Sequence, residues 1–97
     1  MEPRQRGLTA FIYSMDFSKA LSILKEGRSV TRAGWNGKGM YITLQRPDEN
    51  SKMTRPYVYM TLPVGSTVQF GEVNSDQRVP WLCSQTDLLA EDWETVA

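Results

Sequence analysis

The residues best suited to bind a ligand lie between Arg32 and Met40, where the sequence reads Arg-Ala-Gly-Trp-Asn-Gly-Lys-Gly-Met. The glycines disfavour a regular helix or strand, because glycine inside either costs about 0.5–1 kcal/mol relative to alanine. The indole of Trp35 could stack on a flat ligand, and Arg32 and Lys38 could hold the negative charge of such a ligand. A second interpretation, in which Trp35 is a packing plug over the core, explains the same residues and stays open.

A second candidate segment begins at Trp81 and reaches Asp87. Ser84 and Asp87 form a Ser-x-x-Asp pattern, in which the serine oxygen accepts a hydrogen bond from the amide three residues on and the carboxylate reaches back. The pattern predicts a short helix, whose first amides carry partial positive charge and could bind an anion. An ordinary helix cap without a ligand explains the same pattern.

The overall composition is that of a globular domain without a global charge. Of the 97 residues, 40% are hydrophobic and 23% are charged, and 11 basic residues balance 11 acidic ones. A balanced charge provides no field to attract a nucleic acid polymer or an acidic membrane, so local side chains must meet any anion. Histidine is absent and Cys83 is the single cysteine, so we predict no disulfide, no metal and no cofactor. No segment approaches the ~20 apolar residues of a membrane span.

The side chains indicate binding rather than catalysis. Acid–base catalysis most often uses histidine, which this chain lacks. Two acidic pairs, at residues 48–49 and 91–92, could be imagined as a base or a metal site, but adjacent side chains point apart and are typical of a solvated surface. Cys83 has no histidine to activate its thiol and is predicted to be a small buried side chain. We therefore predict that the protein is not an enzyme.

The hydrophobic periodicity predicts one helix followed by a small antiparallel sheet. Apolar residues recur at helical spacing between Phe17 and Leu24, with Asp16 as the N-cap and Gly27 placed to end a helix over Asp16–Glu26. Segments rich in β-branched and aromatic residues predict strands, and two polar segments predict loops. The strands are Ser29–Arg32, Met40–Gln45, Tyr57–Leu62 and Thr67–Phe70, to which Asp92–Val96 could add a last short one, and the loops are Arg46–Pro56 and Gly71–Arg78.

The predicted fold class is α+β, with one N-terminal helix packed on a small antiparallel sheet and a short C-terminal helix after Ser84. Residues 1–14 contain Pro3, Gly7 and several charges and end in an apolar patch, so they are interpreted as an N-terminal extension. Residues 15–97 are interpreted as a single domain. We predict that the extension is dispensable for ligand capture.

Three stretches of the chain together resemble one known family. The first is Asp-Phe-x-x-Ala-Leu-x-x-Leu-Lys-x-Gly in the predicted helix, and the second is Arg-x-Gly-Trp-Asn-Gly-Lys-Gly-Met in the loop. The third is Pro-Trp-x-x-Ser-Gln-Thr-Asp-x-Leu-Ala-x-Asp-Trp near the C-terminus. On these motifs the chain, from Met15 to Val96, resembles the DUF2829 family of small phage and bacterial proteins, which includes the phage anti-Thoeris sponges.

The resemblance implies a phage protein in the host cytoplasm that forms a homotetramer and captures cyclic nucleotide signals of bacterial immunity. The ligands it implies are glycocyclic ADP-ribose, the Thoeris signal, and the cyclic dinucleotides of CBASS, which the sponge sequesters without cleavage. Two alternatives stay open. One is an inhibitor that binds a host defence protein through the same tryptophans. The other is a cyclic-nucleotide hydrolase that uses a carboxylate-bound metal.

The ligand is predicted to lie where the Trp35 loop meets the helix that begins at Ser84, across a subunit boundary. Trp35 or Trp81 would stack on a base, whereas Trp93 is predicted to belong to the core. Polar side chains would read base edges and ribose hydroxyls, and cations would meet the phosphates. The full set of predicted ligand-binding residues is Arg28, Arg32, Trp35, Asn36, Lys38, Met40, Trp81, Ser84, Gln85, Thr86 and Asp87.

Overall fold

The computed structural model describes residues 14–36, 39–65, 67–68, 71–72 and 75–96. The predicted extension is therefore described only at Ser14. The elements in chain order are α1 (Phe17–Lys25), β1 (Val30–Arg32), β2 (Tyr41–Gln45), β3 (Tyr57–Leu62), β4 (Thr67–Val68), β5 (Gly71–Glu72), β6 (Gln77–Pro80), α2 (Gln85–Leu88) and β7 (Trp93–Thr95). The predicted α+β class is confirmed. Neither described helix is long and apolar enough to cross a membrane.

Five strands form one antiparallel sheet in the order β6-β3-β2-β1-β7, while β4 and β5 pair with each other. Val30 lies opposite Ile42, Ile42 opposite Met60, and Met60 opposite Val79. Cross-strand partners point to the same face, so these apolar side chains form one continuous row. The helix α1 packs on this face, against β7, β1 and β2.

The hydrophobic core lies between α1 and this face of the sheet. The helix contributes Ala20 and Leu24, both fully buried, and β7 contributes Trp93, which is also fully buried. The prediction that Trp93 belongs to the core is confirmed. Met15 exchanges two 3.0 Å backbone hydrogen bonds with Trp93, which ties the start of the domain to β7.

Local signals set both ends of α1. The side chain of Asp16 accepts a hydrogen bond from the Lys19 amide at 3.0 Å, as an N-cap does. Gly27 has a φ of +95°, a left-handed conformation that ends helices and favours glycine. The predicted helix is confirmed, with Asp16 and Glu26 as its two caps.

The region after residue 66 differs from the prediction. The predicted strand Thr67–Phe70 is described at Thr67–Val68, which pairs with Gly71–Glu72 instead of joining the main sheet, and residues 69–70 lie outside the described part. The predicted loop over Gly71–Arg78 is wrong at its two ends, because Gly71–Glu72 forms β5, and Gln77 and Arg78 belong to β6, which pairs with β3 as an edge strand. All four residues of β6 are exposed, so the strand lacks the alternation of apolar and polar residues that reveals a half-buried strand.

Candidate ligand-binding site

The Trp35 loop and the start of α2 meet at the carboxylate of Asp87. Its Oδ1 accepts hydrogen bonds from Nε1 of Trp35 at 3.0 Å and from Nη1 of Arg32 at 2.7 Å. The side chain of Ser84 caps α2 by accepting from the Asp87 amide at 3.0 Å, which confirms the predicted helix start. The second half of the predicted capping box is wrong. The Asp87 carboxylate turns to Arg32 and Trp35, because a bond from a guanidinium to a carboxylate is charge-assisted and stronger.

Asp92 binds the same guanidinium from the other side. Its Oδ1 accepts from Nε of Arg32 at 2.7 Å, and its Oδ2 accepts from the Gly34 amide at 2.8 Å. A Cβ at position 34 would lie 2.8 Å from Oδ2 of Asp92 and 3.2 Å from Nη2 of Arg32. Alanine at position 34 would therefore force the carboxylate of Asp92 to move, which would weaken its hydrogen bonds to the Gly34 amide and to Arg32.

The three charged groups hold one another in their ionised forms. Hydrogen bonds from Arg32 lower the pKa of Asp92, and hydrogen bonds to Asp92 and then Asp87 raise the pKa of Arg32. Burial by itself would raise the pKa of Asp87, but the hydrogen bonds from Trp35 and Arg32, together with the nearby Ser84 side chain, outweigh burial and lower it. The Arg32 side chain is only 14% exposed and faces two carboxylates, so its positive charge is already neutralised within the chain. Its predicted role in holding a phosphate stays a prediction.

Both candidate stacking tryptophans support the core. The Trp35 ring meets the Trp93 ring edge-on, with centroids 5.4 Å apart and an angle of 80° between the planes. Trp81 also meets Trp93 edge-on at 6.1 Å and lies 6.0 Å from the ring of Phe17. Both rings are half-buried. Trp35 therefore packs on the core, as the second interpretation predicts, and it also lines a concave surface. Its stacking on a ligand stays a prediction.

That surface, here called the Trp35 concavity, is an open depression of about 500 Å³ beside β1 and β2. It gathers four of the predicted ligand-binding residues: Arg32, Trp35, Asn36 and Met40. Thr31 shapes one wall by donating a 2.6 Å hydrogen bond from its hydroxyl to the Met40 carbonyl. The other lining residues are Ala33, Gly39, Tyr41 and Val96.

Sequence reasoning missed Thr31, Tyr41 and Val96. In the sequence Thr31 and Tyr41 are ordinary strand residues, and only the pairing of β1 with β2 shows that they share one face. The sequence marks Thr31 and Tyr41 only by their position, because each lies directly beside the glycine-rich loop.

The other predicted ligand-binding residues are not part of this concavity. Arg28 is exposed and lies before β1, whereas the loop follows β1. Trp81 packs against the core, and the carboxylate of Asp87 binds Arg32. Lys38 lies outside the described residues. Ser84, Gln85 and Thr86 are exposed at the start of α2. Their roles toward a ligand stay predictions.

Cys83 is half-buried, so the prediction of a buried side chain is wrong in degree. Burial and then the negative charge of Asp87 raise the pKa of the thiol, which keeps it protonated at neutral pH. In the described part of the chain, no group of three or more His, Cys, Asp and Glu side chains is arranged to hold a metal ion.

A second open concavity of about 850 Å³ lies at the β6 edge of the sheet. The rings of Tyr57 and Tyr59 line it with centroids 6.5 Å apart, and Arg55 and Arg78 add positive charge. This surface was not predicted from the sequence either, because β6 completes it and the predicted loop included the first two residues of that strand.

Comparison with known proteins identifies the family of the chain. The family model described as Tad2-like, the Thoeris anti-defense 2-like domain, matches residues 15–96. A protein of Bacillus phage SP01 named Thoeris anti-defense 2 is 39% identical over 85 residues, which cover 86% of this chain and 96% of that protein. The chain therefore belongs to the Thoeris anti-defense 2 family of phage anti-defence proteins.

Proposed function

We propose that this protein captures a cyclic nucleotide signal of a bacterial immune system and holds it without cleavage in the cytoplasm of the infected host. The ligand class is a cyclic ADP-ribose-type molecule, such as the Thoeris signal, or a cyclic dinucleotide of CBASS. Membership of the Thoeris anti-defense 2 family supports an anti-defence role. Among the described residues, the Trp35 concavity supports a flat and polar ligand.

The observation that carries the proposal is the fixed orientation of Trp35. Asp87 accepts a hydrogen bond from its indole nitrogen at 3.0 Å, and the Trp93 ring packs edge-on against its ring. Trp35 lines the concavity together with Asn36, Thr31 and Tyr41, whose side chains contain amide and hydroxyl groups. A ring that is already ordered loses little conformational entropy when a base stacks on it, which strengthens binding.

A sponge must compete with the effector that the signal would otherwise activate. Submicromolar binding requires roughly −8 to −12 kcal/mol, of which stacking on one aromatic ring supplies about 1–3 kcal/mol. The remainder needs hydrogen bonds in a largely enclosed site, and small-molecule sites bury about 70–90% of their ligand. The Trp35 concavity is open, so the proposal includes a homotetramer in which another copy covers it.

The phosphates of such a ligand need positive charge. Asp87 and Asp92 already neutralise Arg32, so Arg28 and Lys38 are the remaining predicted candidates. Arg28 lies before β1, whereas the loop follows that strand, so the proposal assigns Arg28 to a ligand bound by a neighbouring copy.

One experiment separates the proposed function from its alternatives. The protein is incubated with glycocyclic ADP-ribose or a cyclic dinucleotide, freed of unbound ligand and then heated, and the released compound is identified by mass spectrometry. A sponge releases the intact ligand in stoichiometric amount. Release of a cleaved product would identify a hydrolase, and release of nothing would reject capture.

A second candidate function, inhibition of a host defence protein by direct binding, is favoured by a different observation. Leu82, Leu88 and Leu89 are 90%, 50% and 74% exposed on and beside α2. Leu88 and Leu89 line an open groove with Phe17 and Leu21 of α1. Exposed apolar clusters often mark protein contacts. Under this function, Leu89→Asp would abolish anti-defence activity in infected cells, whereas a sponge would keep its capture of the signal.

A further inference from the structure

An apolar groove, here called the α1–α2 groove, lies between the start of α1 and the end of α2. It is an open depression of about 520 Å³. Its apolar lining consists mainly of Phe17, Leu21, Leu88 and Leu89. The two leucines at the end of α2 are at least half exposed. Apolar surface in contact with water is unfavourable, so a segment that covers this groove would be stabilised there.

The core holds both walls of the α1–α2 groove in place. On one wall, the ring of Phe17 lies 5.3 Å from the ring of the buried Trp93. On the other, the Leu89 amide donates a 3.0 Å hydrogen bond to the Gln85 carbonyl. Nε1 of Trp93 donates to the Asp87 carbonyl at 3.0 Å, which ties α2 to the same core residue. A groove that is already formed loses little conformational entropy when a segment binds to it.

The charged side chains that line the α1–α2 groove are both acidic. They are Asp16, the N-cap of α1, and Glu91, which follows α2. Both are exposed, and neither forms an ion pair with another residue that the structure describes. An occupant of complementary chemistry therefore combines apolar side chains with positive charge.

Residues 1–13 of the same chain have this composition. They lie outside the described residues and read Met-Glu-Pro-Arg-Gln-Arg-Gly-Leu-Thr-Ala-Phe-Ile-Tyr. Two cations, Arg4 and Arg6, outnumber the single acidic residue Glu2, and the last three residues are large and apolar or aromatic. The segment thus matches the groove in both hydrophobicity and charge.

This segment also joins the described part of the chain beside the groove. Two 3.0 Å backbone hydrogen bonds fix Met15 to Trp93, and the next residue, Asp16, already lines the groove. An extended chain spans up to about 3.3–3.6 Å per residue, so Phe11 can lie up to about 16–18 Å from Asp16. The first turn of α1, from Phe17 to Leu21, is only about 6 Å long. The apolar end of the segment can therefore reach the whole groove while every described residue keeps its place.

We propose that residues 1–13 cover the α1–α2 groove of their own chain, with positions 11–13 against Leu88 and Leu89 and the two arginines beside the acidic side chains. The short connection keeps the segment at a high effective concentration, so weak contacts suffice. Covering the groove withdraws both leucines from a host protein, which counts against the second candidate function. The groove shares no lining residue with the Trp35 concavity, so this inference is independent of the proposed function.

Proteolysis of the full chain tests the inference. Chymotrypsin cleaves after accessible large apolar residues, and mass spectrometry measures the loss of residues 1–11. When docking equilibrates faster than cleavage, the cleavage rate follows the population of the released segment. Leu89→Asp places a charge in the groove and should accelerate this cleavage at least about tenfold. Leu82→Asp is the matched control, because it makes the same change at a 90% exposed leucine outside the groove. It should stay within about twofold of the wild type.

The role of charge is tested with Glu91→Lys in the same assay. Because exposed ion pairs contribute little, this variant should accelerate cleavage only about twofold to fivefold at low salt. About 1 M salt should remove the difference by screening. Glu49→Lys, the same charge change in an exposed loop, should have no effect. An unchanged rate for Glu91→Lys at low salt would overturn the placement of the arginines.

Circular dichroism establishes that every variant is folded. Equal cleavage rates for the wild type and Leu89→Asp would show that the groove is open in the free protein and would overturn the inference. An equal acceleration by Leu82→Asp would also overturn it, as would protection that is lost on dilution, which would place the segment on another copy. Capture of the signal is measured separately, so its absence with a protected segment would reject the proposed function alone.

Discussion

Around the end of β1, Arg32 and Trp35 are held by the carboxylates of Asp87 and Asp92. At the β6 edge of the same sheet, Arg78 has no such partner among the described residues. Both regions combine aromatic rings with arginine and line open concavities. The difference is that the first region fixes its side chains by charge-assisted bonds, whereas the second leaves them adaptable. A preordered region suits recognition of one small ligand, and an adaptable one suits contact with a surface.

The largest effect on stability is expected from replacing Arg32, the cation that Asp87 and Asp92 share. Arg32→Met should lower the free energy of unfolding by about 2–3 kcal/mol, because it leaves two neighbouring carboxylates without their partner in a mostly buried setting. Arg78→Met, the same substitution at the exposed edge, should stay within about 0.5 kcal/mol of the wild type. Chemical denaturation at pH 7 measures both. Equal free energies of unfolding for the two variants would show that the ion pairs of Arg32 with Asp87 and Asp92 do not stabilise the fold.

Trp35→Ala should weaken capture of the signal by about 1–3 kcal/mol, or five- to 150-fold, because the stacking surface is lost. Tyr57→Ala removes a ring from the second concavity and should leave the affinity unchanged. Calorimetry measures the affinities, and thermal melting establishes that each variant is folded. If Tyr57→Ala weakens binding and a folded Trp35→Ala does not, the ligand site lies at the β6 edge.

Gly34→Ala should destabilise the protein by about 1–2 kcal/mol, since the new methyl group would lie 2.8 Å from Oδ2 of Asp92. The double variant Gly34→Ala, Asp92→Ala removes that conflict. It should therefore lose less stability than the sum of its two single variants, as measured by denaturation. Strict additivity would mean that the Gly34 amide and Asp92 do not interact in solution.

The smallest expected effect is the loss of stability at low pH. The pKa values of Asp87 and Asp92 are lowered in the folded protein, so their stabilisation is fully present above the ordinary carboxyl pKa of about 3.9. It is lost as the pH falls below that value through their folded pKa values. Asp92→Asn should flatten this acid-induced decline in melting temperature. Glu49→Gln, at an exposed loop position, should not. Identical pH profiles for the two variants would contradict the assignment.

The N-cap of α1 at Asp16, its end at Gly27 and the cap of α2 at Ser84 were all predicted from the sequence. Each depends on a contact between residues at most four positions apart, or on the backbone freedom of a single glycine. Such signals are complete within a short stretch of chain. Trp93 was also predicted as core, because it lies away from flexible or capping backbone.

The strand β6 could not be predicted in the same way. Its four residues are exposed and include Pro80, so neither hydrophobic alternation nor strand propensity marks them. Pairing with β3 alone makes this segment a strand, and β3 lies more than ten residues earlier in the chain. For the same reason, the sequence did not show that Thr31 and Tyr41 share one face of the sheet.

The family motifs, the helix ends and the residue types of the glycine-rich loop are all visible in the sequence. Which distant residues the loop contacts is visible only in the tertiary structure. Trp35 is 52 positions from Asp87, and Arg32 is 60 positions from Asp92, yet both pairs are in hydrogen-bonding contact. Hydrogen-bond partners so distant in the chain are brought together by the pairing of β7 with β1 and the packing of α1 on the sheet, because only the folded chain brings an acceptor within about 3 Å of its donor.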